Sequence, residues 1–91
     1  MTRDEEIKSF TMTLLMRSMP QCQEECCAIS AIVDVKFNGI PADDFEIIAR
    51  AERIADGLFG SAYHKASEYQ RIEWINMCEV ELRKASGFEK I

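Results

Sequence analysis

Four cysteines and one histidine are the residues whose chemistry and spacing suggest a site. Cys22, Cys26 and Cys27 follow a C-x3-C-C pattern, and thiolates one helical turn apart can share a metal. His64 and Cys78 would have to complete the site, yet these two lie about 21 Å apart along a continuous helix. We therefore expect structural cysteines with no metal and no cofactor. A small thiol-dependent or metal-binding protein that uses these cysteines with His64 or Cys78 is the alternative.

The cysteines also belong to the apolar pattern of the chain. Cysteine behaves as a small hydrophobic residue in a core, and one helical stripe combines Cys22, Cys26, Ile29, Val33 and Phe37. Cys27 points away from that stripe, so we expect it to be the most exposed thiol. The first residues do not resemble a secretory signal, so we expect free thiols in a reducing cytoplasm.

The polar candidates give no catalytic constellation. His64 has no nearby serine, cysteine or carboxylate in a nucleophile pattern, so we expect a surface residue and no enzyme. The Asp43-Asp44-x-Glu46 run is reminiscent of a divalent-cation site, but it lacks the further oxygen ligands and turn glycine of a calcium loop. Helix capping by Asp43, with Glu46 three residues later, explains the same residues.

The charge balance argues against nucleic acid as a partner. The chain has 11 Lys and Arg against 16 Asp and Glu, a net charge of −5, and no basic cluster that would neutralise phosphates. Residues 39–60 hold much of this acidity. A helix-turn-helix interpretation fails as well, since the second helix would present Asp43, Asp44 and Glu46 to DNA. We also expect no membrane segment.

The elements that must position these residues are helical. We expect one domain over residues 1–91, an all-α compact bundle of four helices, or five if the last segment breaks. The segments cover about 4–18, 20–38, 43–58 and 61–85, with turns at 19–20, 38–42 and 59–61. Pro20 suits the first turn of the second segment. The apolar face of the last segment shifts along its length, which indicates either a break near Gln70 or one long helix with different neighbours.

Residues 33–37 fit two kinds of secondary structure. Val33, Val35 and Phe37 alternate with polar residues before Asn38-Gly39, which also fits a β-hairpin, although Pro41 makes a poor return strand. We favour a helix. In the third segment the pattern places Arg50 on the charged side, and all four glycines, at 39, 57, 60 and 87, occupy positions typical of helix ends.

The first segment suggests an interaction surface. Its apolar arc is wider than one core-facing stripe, so we expect burial on two sides, and Met12, Met16 and Met19 follow each other at i, i+4 and i+7. The alternative is that these methionines fill the chain's own core. We expect a partner-binding patch that comprises Met12, Met16, Met19 and Trp74, with Phe88, flanked by the acidic residues Asp43, Asp44 and Glu46.

These features together favour a function by elimination. Without a catalytic constellation, cofactor loop or basic surface, we expect a small non-enzymatic protein-binding module in the cytoplasm. A regulator or inhibitor of a larger protein fits this description, and such proteins are common products of phages and other mobile elements. The partner is a protein of unknown identity, and a homodimer is one form of the same interaction.

Overall fold

The computed structural model describes residues 2–87 and confirms the all-α prediction. Within this range 84% of the residues are helical, in five helices with no strand. The helices are α1 (Arg3–Ser18), α2 (Gln23–Asn38), α3 (Asp44–Phe59), α4 (Ser61–Lys65) and α5 (Glu68–Ser86).

Local side-chain hydrogen bonds fix where α1 and α3 begin. Thr2 accepts a hydrogen bond from the backbone N–H of Glu5 at the start of α1, at 3.2 Å. Asp43 does the same for Glu46 at the start of α3, at 2.9 Å, which confirms the predicted cap. Such bonds satisfy N–H groups that have no partner within the helix.

The structure corrects three details that the sequence predicts for the second and third segments. Residues 33–37 are helical, as favoured, but α2 begins at Gln23, because Cys22 is still extended with φ −147°. Pro20 therefore precedes the helix. Gly57 lies inside α3, whereas Gly60 caps its end.

The last segment breaks three to four residues before the predicted point, Gln70. Ala66 and Ser67 are extended, and the hydroxyl of Ser67 accepts a hydrogen bond from the backbone N–H of Gln70 at 3.2 Å. Ser67 is thus the N-cap of a new helix, which explains why the apolar face shifts near this position.

The core lies between α2, α3 and α5 and is built largely from small residues. One buried cluster combines Cys27 of α2, Cys78 of α5, and Ala51 and Ala55 of α3, all at 0% exposure. A second combines Ala31, Ile47 and Leu82. Alanine and cysteine side chains allow the three helix axes to approach closely.

Arg50 is the only charged residue among those described that is fully buried, with 6% of its surface exposed. Its guanidinium donates to Asp34 at 3.1 Å and Glu46 at 2.8 Å, and to the carbonyl oxygens of Gly39 at 2.6 Å and Asn38 at 3.2 Å. The prediction that Arg50 lies on a solvated charged face is wrong. Its side chain satisfies the last carbonyls of α2 and joins that helix to α3.

We expect Arg50→Met to lower the free energy of unfolding by about 3 kcal/mol, because it removes one partner of a buried ion pair and leaves two carbonyl groups unpaired. Urea denaturation followed by circular dichroism measures this change. The exposed Arg53 of the same helix is the matched control, and Arg53→Met should change stability by no more than about 0.5 kcal/mol. Equal losses in both variants would contradict the role assigned to Arg50.

The same network predicts an acid-dependent loss of stability. The pKa of Glu46 lies below its usual value, first because its carboxylate accepts the backbone N–H of Ala42 and then because it pairs with Arg50. A lowered folded-state pKa stabilises the fold above the unfolded pKa of about 4.3. That stabilisation is lost as the pH falls through the folded value.

Wild type should therefore lose more stability between about pH 5 and pH 3 than Glu46→Gln does. Urea denaturation at several pH values measures the two slopes. Glu52→Gln, at an exposed glutamate of the same helix, is the control and should follow the wild type. A wild-type slope no steeper than that of Glu46→Gln would refute the contribution of this carboxylate.

Candidate interaction surface

One side of α1 packs against α2. The ring of Phe10 meets that of Phe37 edge to face, with centroids 5.8 Å apart, and the ammonium of Lys36 lies 4.8 Å from the Phe10 ring centroid. Arg3 donates to the carbonyl oxygen of Phe37 and the side-chain oxygen of Asn38, both at 2.7 Å. The start of α1 is thereby fixed to the end of α2.

The three methionines lie on the other side of α1 and are exposed. Their exposed fractions are 57% for Met12, 74% for Met16 and 70% for Met19. Met12 lies about 160° around the helix from Phe10, since each residue turns an α-helix by about 100°. We call Met12, Met16 and Met19 the methionine face.

The methionine face is not part of the chain's own core. No residue of α1 between Arg3 and Ser18 is fully buried, and the apolar residues Ile7, Phe10 and Leu14 are only half-buried. Within residues 2–87 the chain covers one side of α1, so the predicted burial on two sides is not observed there.

Met19 adopts an unusual backbone conformation at the end of this face. It caps α1 with φ 46° and ψ 62°, and it is the one non-glycine residue of the described range with a positive φ. Such a conformation costs a residue with a Cβ roughly 1–2 kcal/mol relative to glycine. Pro20 follows directly and disfavours this region further. Position 19 therefore has a large exposed side chain, although glycine would be less strained there.

A groove lies beside the C-terminal end of α1. It has a volume of about 270 Å³ and is lined by Ala28, Ile29 and Ile32 of α2 together with two polar residues, Ser18 of α1 and Glu25 of α2. The side chain of Ile32 is itself 43% exposed. Exposed apolar surface is thus also present on α2 near the end of α1.

Trp74 belongs to a different part of the molecule. Its ring stacks on Phe59 with a centroid distance of 4.3 Å and an angle of 11°, and it packs against the cluster of Cys27 and Cys78. The structure therefore places Trp74 with the core and not with the methionine face. Phe88 lies outside the described residues.

The acidic candidates already have partners within the chain. Asp43 caps α3, Asp44 lies 3.0 Å from Arg83, and Glu46 pairs with Arg50 at 2.8 Å. Only the Asp44–Arg83 pair joins α3 to another helix, since the other two contacts lie within α3 and its cap. All three acidic side chains therefore already have a role in the fold, whereas among residues 2–87 no such role is seen for the methionines.

The structure reverses the predicted exposure of the cysteines. Cys27 is completely buried, whereas Cys22 is exposed and Cys26 half-buried, and all four thiols are free. Cys27 lies about 100° around α2 from Cys26 and packs against Ala51, Ala55 and Cys78. The prediction of an exposed Cys27 is wrong because the core lies on the side of α2 next to the predicted stripe.

The remaining chemical candidates have simple surroundings. Cys22 and Cys26 line an open groove of about 330 Å³ together with Leu58 and Phe59. His64 is exposed, as predicted, and its Nε2 lies 2.8 Å from a carboxylate oxygen of Asp56. Between residues 2 and 87, no three histidine, cysteine or acidic side chains lie close enough to share a metal ion.

A second apolar cluster escaped the sequence analysis. Phe45 is 85% exposed, and Ile40 and Ile48 beside it in sequence are 63% and 40% exposed. The sequence contains a signal for this exposure, since Phe45 lies next to Glu52 on the charged side of the α3 helical wheel. Unlike Met19, none of these three residues has a positive φ.

None of the helices within residues 2–87 combines the length and apolarity needed to cross a bilayer. The chain matches no protein family, and no curated protein and no solved structure resembles it detectably.

Proposed function

We propose that this protein is a small non-enzymatic protein-binding module, a regulator or inhibitor of a larger protein, which docks through the methionine face of α1. The observation that carries this proposal is the exposure of Met12 and Met16 of α1 and of its C-cap residue Met19 within the described part of the chain. A phage or another mobile element is a common source of such regulators. A second copy of the chain is one partner that the same face accommodates.

The chemistry of methionine suits this role. Its unbranched, polarizable side chain adapts to an uneven partner surface, and methionines are frequent on surfaces that bind helices. Fully burying one such side chain gains about 1.5–3 kcal/mol. Three together offer several kcal/mol against the cost of association, which suffices for specific binding when a few further contacts contribute.

The backbone of Met19 supports the same conclusion. Strained residues persist where the surrounding structure or a function requires them. The Met19 side chain is 70% exposed, so the fold itself gains little from it. A contact made by this side chain with a partner accounts for a methionine at a position that favours glycine.

The double variant Met12→Glu/Met16→Glu should abolish self-association and partner capture while the helical circular dichroism signal is retained. Two carboxylates on the docking face would have to be desolvated on binding, which is costly. Native mass spectrometry measures self-association. Capture by the immobilised protein from a lysate of its source cell, with identification by mass spectrometry, measures partner binding.

The matched control is Tyr69→Glu/Ile72→Glu, which places the same charges on an exposed apolar pair of α5, 77% and 50% exposed. This variant should behave like the wild type in both measurements. Unfolding of the Met12→Glu/Met16→Glu variant would instead show that the methionines belong to the core. A strictly monomeric wild type that captures no protein would refute the proposal.

Met19→Gly separates stability from binding. Glycine removes the left-handed strain and should raise the free energy of unfolding by about 1 kcal/mol, measured by urea denaturation. The same substitution removes one side chain of the methionine face and should weaken capture of the partner. A variant that is more stable and binds as well as the wild type would exclude Met19 from the interface.

A further inference from the structure

Two buried thiols meet at the packing interface between α2 and α5. The Sγ atoms of Cys27 and Cys78 lie 3.3 Å apart, and both residues have 0% exposure. The two positions are 51 residues apart in the sequence. Their contact therefore results from the fold and not from local chain geometry.

The two Sγ atoms are already close to the distance of a disulfide bond. A disulfide has an Sγ–Sγ distance of about 2.05 Å, so the sulfurs would have to approach by roughly a further 1.3 Å. Rotation of the two side chains with a small shift of the helices supplies a movement of this size. Ala51 and Ala55 of α3 are the neighbours in the same cluster, and neither presents a long side chain between the sulfurs.

The two thiols are chemically different. The thiol of Cys78 donates its hydrogen to the sulfur of Cys27. This hydrogen bond lowers the pKa of Cys27, because it stabilises the thiolate, and raises the pKa of Cys78. Cys27 is thus the better nucleophile, and Cys78 is the thiol positioned to attack its oxidised product.

We propose that Cys27 and Cys78 form a modification site at which a hydroperoxide such as hydrogen peroxide generates an intramolecular disulfide between α2 and α5. The Cys27 sulfur attacks one peroxide oxygen, the O–O bond breaks, and water leaves after proton transfer, which gives a sulfenic acid. The Cys78 sulfur then attacks the Cys27 sulfur, the S–O bond breaks and a second water leaves. In total two thiols are oxidised and one peroxide is reduced to two water molecules.

The burial of the site determines which oxidants reach it. Hydrogen peroxide, which is only a little larger than water, can enter during transient separation of α2 and α5. A bulky peptide disulfide such as oxidised glutathione requires a much wider opening. The resulting bond is equally shielded. We therefore expect slow oxidation by peroxide and resistance of the disulfide to dithiothreitol until the chain is unfolded.

The chain provides its own control pair. Cys22 and Cys26 lie on the same helix, line an open groove and are more exposed than Cys27. The double variant Cys22→Ser/Cys26→Ser retains only the buried pair. Because Cys22 and Cys26 are not buried, this variant is expected to fold as the wild type does, which circular dichroism checks.

The experiment treats Cys22→Ser/Cys26→Ser with hydrogen peroxide and measures the intact mass. The expected result is the loss of two hydrogen atoms, a tryptic digest with peptide 18–36 linked to peptide 72–83, and a higher urea midpoint, because the cross-link restricts the unfolded chain. A further Cys78→Ala substitution should abolish the mass loss and the linked peptide.

Two results would overturn the proposal. The first is oxygen located on the Cys27 or Cys78 sulfur by peptide fragmentation, with no linked peptide, which would show that the buried thiols oxidise separately; oxygen on methionine does not count. The second is a linked peptide in the wild type that disappears in Cys22→Ser/Cys26→Ser, which would assign the bond to an exposed cysteine. Neither result bears on the methionine face, so this site and the proposed function are tested independently.

Discussion

The architecture depends on the two apolar faces of α2. Cys27 and Ala31 turn one face toward α3 and α5, while Phe37 lies on the other, toward α1. A helix that is apolar on both sides must be covered on both. The three-helix core of α2, α3 and α5 meets the first requirement, and α1 meets the second. Among the described residues, α1 packs against α2 while its Met12 and Met16 side chains are exposed, and the methionine face results from this position.

Helix number and type were predictable because both depend on local signals. Asp43 and Gly60 mark the ends of α3 by capping and by a positive φ that suits glycine. The alternation of residues 33–37 also fits a β-hairpin, but this stretch is helical, since Pro41 prevents a return strand. Ser67 is an equally clear capping residue, but the shift of the apolar face alone predicts a later break.

The side-chain environments were harder to predict because they depend on tertiary contacts. A helical wheel shows an apolar stripe but not which neighbour covers it, so the wheel of α2 does not reveal that Cys27, outside the main stripe, lies in the core. Arg50 illustrates the same difficulty for charge. Its burial requires Asp34 and the terminal carbonyls of α2 to converge on it, and no local pattern in α3 reveals that convergence. For the candidate surface, the spacing of the methionines was visible, whereas the separate location of Trp74 was not.

The attachment of α1 has a consequence for how the domain opens. Its contacts include one aromatic pair, the hydrogen bonds of Arg3 and half-buried side chains, whereas α2, α3 and α5 share the fully buried residues. Cooperative units with few buried contacts open at a lower free-energy cost than the whole domain. We expect the amides of α1 to exchange with solvent before those of the core helices. The segment that presents the methionines is then the least protected unit of the fold, and any partner that covers it would slow this exchange.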